Sequence, residues 1–257
     1  NTYVIAAENP AAVPAGNWNP ALDPSLPVVA PAYAIPGSDV LVVRYTQGTP
    51  VYITGIASDT APNFTVNAVS APLITSGNLF LLTNCVSGIA MQASSGTTAT
   101  NIVHAGPLDA ITGVPQSFIG AQVVSPVTTV FYVGQGADGS PALFEATNNT
   151  GAGSAPTFTM QELVPGVENM QVMYGVDQTG ALVPSIYDTA DVVSAANQWN
   201  SVVSVRIALL LRSNTGAVPL PGVAPKYNLL GTSITAPIDT RLRRVFTATI
   251  GLRNRLP

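Results

Sequence analysis

Apolar and polar positions alternate most regularly in the carboxy-terminal part of the chain. Within 162–177, Met170, Val172, Tyr174 and Val176 share one face, and Asn169, Gln171 and Met173 the other, the period-two pattern of a strand. The segment 201–212 repeats it, with Val203, Val205, Ile207, Leu209 and Leu211 opposite Ser204, Arg206 and Arg212. A final strand over 241–254 is predicted to turn Leu242, Phe246, Ala248, Ile250 and Leu252 inward, leaving Arg241, Arg243, Thr247, Thr249 and Arg253 outward. The last two segments thus pair an apolar face with an arginine-bearing one, as half-buried antiparallel strands do. Between the first two, 188–199 reads as the best helix, with Asp188 placed to cap its first turn and Asp191 where a capping-box acid would sit.

The amino-terminal half is less regular. Segments 39–45 and 50–57 read as a strand pair around Gln47-Gly48-Thr49, and 78–86 as a third candidate. Segments 117–124 and 127–134 flank a turn expected at Ser125-Pro126, and the glycine-rich 134–141 leads into 142–147 as a hairpin. Residues 7–38 carry seven prolines, from Pro10 to Pro36, which remove amide donors and forbid a helix. The expected fold class is therefore α+β but mostly β: antiparallel sheets with one or two short helices. The expected organisation is a Pro-rich extended arm or loop over 1–38 and a single β-rich head over 39–257, more variable over 39–160 than over 161–257.

Composition narrows the setting. Charged residues are 9% of the chain, and no segment approaches the roughly 20 uninterrupted apolar residues of a spanning helix. The positive mean hydropathy, +0.35, belongs to short strands broken by 22 glycines and 22 prolines. Asn1-Thr2-Tyr3-Val4 shows no secretory signal. Residues 1–200 hold twelve acids and one base, Arg44, a net −11; residues 201–257 hold eight bases and one acid, Asp239, a net +7. Such a split implies either a directional partner surface or basic strands packed beside acidic ones.

Candidate chemistry is sparse. With Cys85 the only cysteine and His104 the only histidine, no internal disulfide and no thiolate metal site is expected. A hydrolase would need His104, Asp109 and a serine to converge, without any nucleophile-elbow motif in support. The 134–139 glycines read as a turn, since no βαβ context makes them a phosphate loop. Asp177 and Asp188 bound a loop with too few carboxylates for calcium, and a plain hairpin loop is expected. No catalytic residue, metal or cofactor is assigned. Arg206, Arg212, Arg241, Arg243 and Arg253 are candidate subunit-docking residues; a solvated face paired to acids is the alternative, and nucleic acid is not expected in an acidic chain without a lysine-rich tract.

Four pieces in order carry a resemblance: ELVPGVENMQVMYGVD (162–177), Trp199, VVSVRIALLLRS (202–213) and DTRLRRVFTATIGLRNRLP (239–257). Together they resemble the carboxy-terminal half of PilW-type minor pilins of type IV pili, with looser likeness at 37–45 and 77–86. The resemblance implies a pilin-like head from which the family's long amino-terminal helix is absent here, so any membrane attachment would come only through that missing helix. It implies a non-enzymatic part in pilus assembly, in the periplasm and at the cell surface, with other minor pilins, the major pilin and a tip adhesin as partners. It also leaves Cys85 either a buried free thiol or a cysteine whose disulfide partner lies upstream. A J-type pseudopilin of type II secretion and a surface adhesin head remain as alternatives.

Overall fold

The computed structural model describes residues 3–7, 18–22, 26, 34–56, 62–67, 74–84, 88–104, 118–149 and 157–252. In chain order these form β1 (Tyr3–Ala7), β2 (Val40–Ile56), β3 (Asn63–Val66), β4 (Leu79–Thr83), β5 (Gly88–Gln92), β6 (Asn101–Val103), β7 (Gln122–Gln135), β8 (Pro141–Asn149) and β9 (Thr157–Pro165). There follow β10 (Val167–Val176), β11 (Ile186–Asp188), α1 (Ala190–Ala195), a 3₁₀ turn (Trp199–Ser201), β12 (Val202–Arg212), β13 (Lys226–Leu229), β14 (Thr232–Thr235) and β15 (Arg243–Gly251). The fold is mostly β, with antiparallel sheets and one short α-helix among the described residues. The chain divides into two compact units.

Residues 44–128 and 148–159 make the first unit. Here β4 pairs with β5 and with the start of β7, while β3 lies between β2 and β6. The alternating burial of β3 and β4 sends Phe64, Val66, Phe80 and Leu82 into one core with Ile53, Phe118 and Val123. Phe64 meets Phe80 edge to face at 5.9 Å between ring centroids, a favoured aromatic geometry.

Residues 2–43, 129–147 and 160–257 make the second unit. The end of β7 and β8 form the expected hairpin, closed by the Gly136 amide on the Ser140 carbonyl. A four-stranded sheet in the order β11-β10-β12-β15 carries the rest, with β13 and β14 as a separate hairpin. Ala190 and Val193 of α1 are fully buried against the β10 side, where Tyr174 stands edge-on to Trp199 at 5.0 Å. Residues Trp18, Leu26 and Ala34 are buried; most of 8–33 lies outside the described residues, as does Cys85.

Several expectations are corrected. The pair 39–45 and 50–57 is one continuous strand, β2, without a turn at Gln47-Gly48-Thr49; that tripeptide lacks the Asn-Gly or Asp-Gly signal of a tight hairpin. Pro126 lies inside β7 rather than in a turn. It falls after the β4 register ends at Val124 and before the β8 register begins at Thr129, so neither the β4 nor the β8 ladder needs its missing amide. The helix is shorter than 188–199, and its N-cap is Thr189, because Asp188 completes β11. The Thr189 hydroxyl bonds the Asp191 carboxylate, and no side chain caps the first-turn amides.

Candidate docking surface

The two faces of the β10-β12-β15 sheet decide where its side chains go. On one face, register aligns Met170, Val172 and Tyr174 of β10 with Leu209, Ile207 and Val205 of β12, and these with Phe246, Ala248 and Ile250 of β15. Burial falls across this apolar row. Met170, Val172 and Tyr174 are buried, Ile207 and Leu209 are half-buried, and Phe246 and Ile250 are each 51% exposed. Leu242, just before β15, is 55% exposed. The inward orientation expected of Leu242, Phe246, Ala248 and Ile250 is therefore corrected: alternation identifies which residues share a face, and here the β15 end of that face is open.

The opposite face is not a plain arginine face either. Ala208 and Leu210 alternate with Arg206 and Arg212 and are fully buried with Leu229 of the β13–β14 hairpin, alongside Tyr227, Ile234 and Val245. Asn169 and Gln171, expected on the polar face of β10, are buried too. Their amide groups both donate to the Gly37 carbonyl at 2.9 Å, which offsets the cost of burying them. The same segment seals the edge of β10: Asp39 donates its amide to the Met170 carbonyl, the Ser38 hydroxyl accepts the Met170 amide, and the Asp39 carboxylate accepts the Val172 amide.

A bulge explains the largest departure. The β10–β12 register shifts between Val167↔Leu211 and Asn169↔Leu210, leaving Glu168 as the extra residue, and bulges re-aim the side chain they insert. Glu168 accepts from Arg243 Nε at 2.6 Å, from Arg243 Nη2 at 3.0 Å and from Arg212 Nη1 at 3.3 Å. Arg243 also donates two bonds of 2.7 Å to Asp239. Its side chain is 1% exposed, whereas the sequence expected it in solvent. The carboxylates hold its guanidinium firmly charged, and its hydrogen bonds in turn depress Asp239 to about 2.

The other arginines are spread. Arg241 donates to the Ser213 carbonyl and lies beside Asp239. Arg206 sits 3.7 Å above the Tyr187 ring and donates to Thr249, a cation–π arrangement. Arg253 lies outside the described residues. Thus Arg212, Arg241 and Arg243 gather around Glu168 and Asp239, and Arg206 stands apart. Only the i,i+4 spacing of Asp239 and Arg243 was a sequence signal for this network, and the part of Glu168 in it needed the bulge.

Other candidates resolve locally. Asp177 accepts the amides of Thr179, Gly180 and Leu182; the bond from Thr179 does most to lower its pKa. It is thus the organiser of its own loop. His104 is buried beside Phe64, with ring centroids 5.6 Å apart, and Asp109 lies outside the described residues. A cleft of about 540 Å³ is lined by Ile35, Gln135, Asn169, Leu210 and Thr235, and its carboxylate is the already engaged Glu168. Among the described residues, no three His, Cys, Asp or Glu side chains converge as a metal site, and no helix is long and apolar enough to cross a membrane.

No curated protein and no solved structure matches the chain. Residues 130–254 match the family described as PilW, Type IV Pilus-assembly protein W. The matched stretch spans β8 to β15 whole, with the Glu168 bulge and the open apolar face, while the looser likenesses at 37–45 and 77–86 lie outside it. Residues 130–254, just under half of the chain, are thus similar to the PilW family of type IV pilus-assembly proteins.

Proposed function

We propose that this chain works in type IV pilus assembly as a minor pilin, docking with other pilus subunits in the complex that primes the filament. The carrying observation is the apolar row that is buried at Met170, Val172 and Tyr174 yet open at Phe246 and Ile250. An exposed apolar patch of this kind marks an interaction surface. The mechanism is surface complementarity without chemistry. Arg206 and the cluster of Arg212, Arg241 and Arg243 lie on the other face or at the β15 entry, where they set orientation more than affinity. By this reading the partners are other minor pilins, the major pilin and a tip adhesin, and the site of action is the periplasm and the cell surface.

The double variant Phe246→Ser, Ile250→Ser tests it. Each side chain is about half exposed, so covering the remainder contributes about 1 kcal/mol apiece. The variant should therefore bind purified partner pilins about 30-fold more weakly, with an unchanged melting temperature and fewer surface pili. Wild-type affinity and piliation in a stably folded variant would rule this docking face out.

A further inference from the structure

The edge of β15 carries an observation separate from its face. β15 ends the order β11-β10-β12-β15, so among the described residues no strand lies on its second edge. Every residue from Phe246 to Gly251 is exposed. Its pairing with β12 runs in unbroken register from Ser204↔Gly251 to Arg212↔Arg243. Open edges are normally protected by a proline, a bulge, an inward charge or a covering segment, and Ser38 and Asp39 give β10 such a cover. The stretch VFTATIG (245–251) has no such device, carries no charge and consists largely of residues that favour strands.

We infer that this edge pairs antiparallel with β15 of a second copy of the chain, about a two-fold axis through Thr247. Thr247 is the midpoint of Arg243–Gly251, so this register pairs the whole strand. On the apolar face it sets Phe246 opposite Ala248 of the other copy, a large side chain against a small one. On the other face Val245 meets Thr249, and Thr247 meets itself in a favourable cross-strand pair. Arg244 faces Ile250 and stands about 20 Å along the strand from its symmetry mate, beyond a screening length of about 10 Å, so the two Arg244 side chains do not oppose pairing of the strand. The contact is isologous and closes at two copies. It depends on the strand edge alone and stands or falls apart from the pilus reading.

The test uses the full chain with Cys85→Ser, which leaves no native thiol. Under mild oxidation, Thr247→Cys should form a disulfide-linked dimer, and Thr249→Cys, which faces Val245, should not. In equilibrium sedimentation the unmodified chain should weigh twice 26.4 kDa, and Thr247→Lys, at an exposed position, should be monomeric with an unchanged circular dichroism spectrum. A monomer at every concentration overturns the inference. So does a dimer that survives Thr247→Lys, equal crosslinking at positions 247 and 249, or Thr247→Cys crosslinking to a different pilus protein in place of a second copy.

Discussion

At the scale of residues, the second unit is organised by Glu168. A bulge turns this one carboxylate toward Arg212 and Arg243, and Asp239 completes the set around a guanidinium that is 1% exposed. Removing one partner of a buried charge cluster leaves the others unpaired, so Arg243→Ala should lower the unfolding free energy by about 3 kcal/mol in denaturant titration. Arg243→Lys should recover only part of that, because a point charge cannot fork to two carboxylates. Acid should also act here. Asp239 is held at about 2 when folded, against about 3.9 unfolded, so its contribution is complete above the unfolded value and disappears as pH falls from about 4 to about 2. Melting temperatures across that window should drop less steeply for Asp239→Asn than for the unmodified chain.

At the scale of elements, alternation found the strands, and register decided what they do. β10, β12 and β15 lie where their period-two patterns place them. The pattern could not say that Asn169 and Gln171 would be covered by the Gly37 segment, nor that Phe246 would stay open, since coverage comes from distant chain. Pro126 misled for a related reason: its missing amide matters only where a ladder needs one. Gly175 shows the same dependence on neighbours. A Cβ there would meet Ser204 Oγ and lie 2.8 Å from Pro184 Cβ. Gly175→Ala should therefore destabilise by about 1–3 kcal/mol in thermal or denaturant unfolding, and adding Ser204→Ala should return part of the loss. A Gly175→Ala chain as stable as the original would mean the strands part there at little cost.

At the scale of the whole molecule, the uneven charge has a partial internal explanation. Glu168 comes from the acidic first 200 residues and neutralises arginines of the basic end. What that pairing leaves is a β15 surface with Phe246 and Ile250 exposed, inside the stretch that matches the type IV pilus-assembly family. The likeness to that family was legible from the ordered motifs of 162–257; the open face was not, because the same motifs suit a covered strand equally well. The claim that this face docks pilus subunits is tested most directly by placing a photo-crosslinking amino acid at position 246 in piliated cells. A crosslinked species that joins this chain to another pilus subunit is the expected result. Crosslinks confined to the chain itself, or none at all in cells that assemble pili normally, would contradict it.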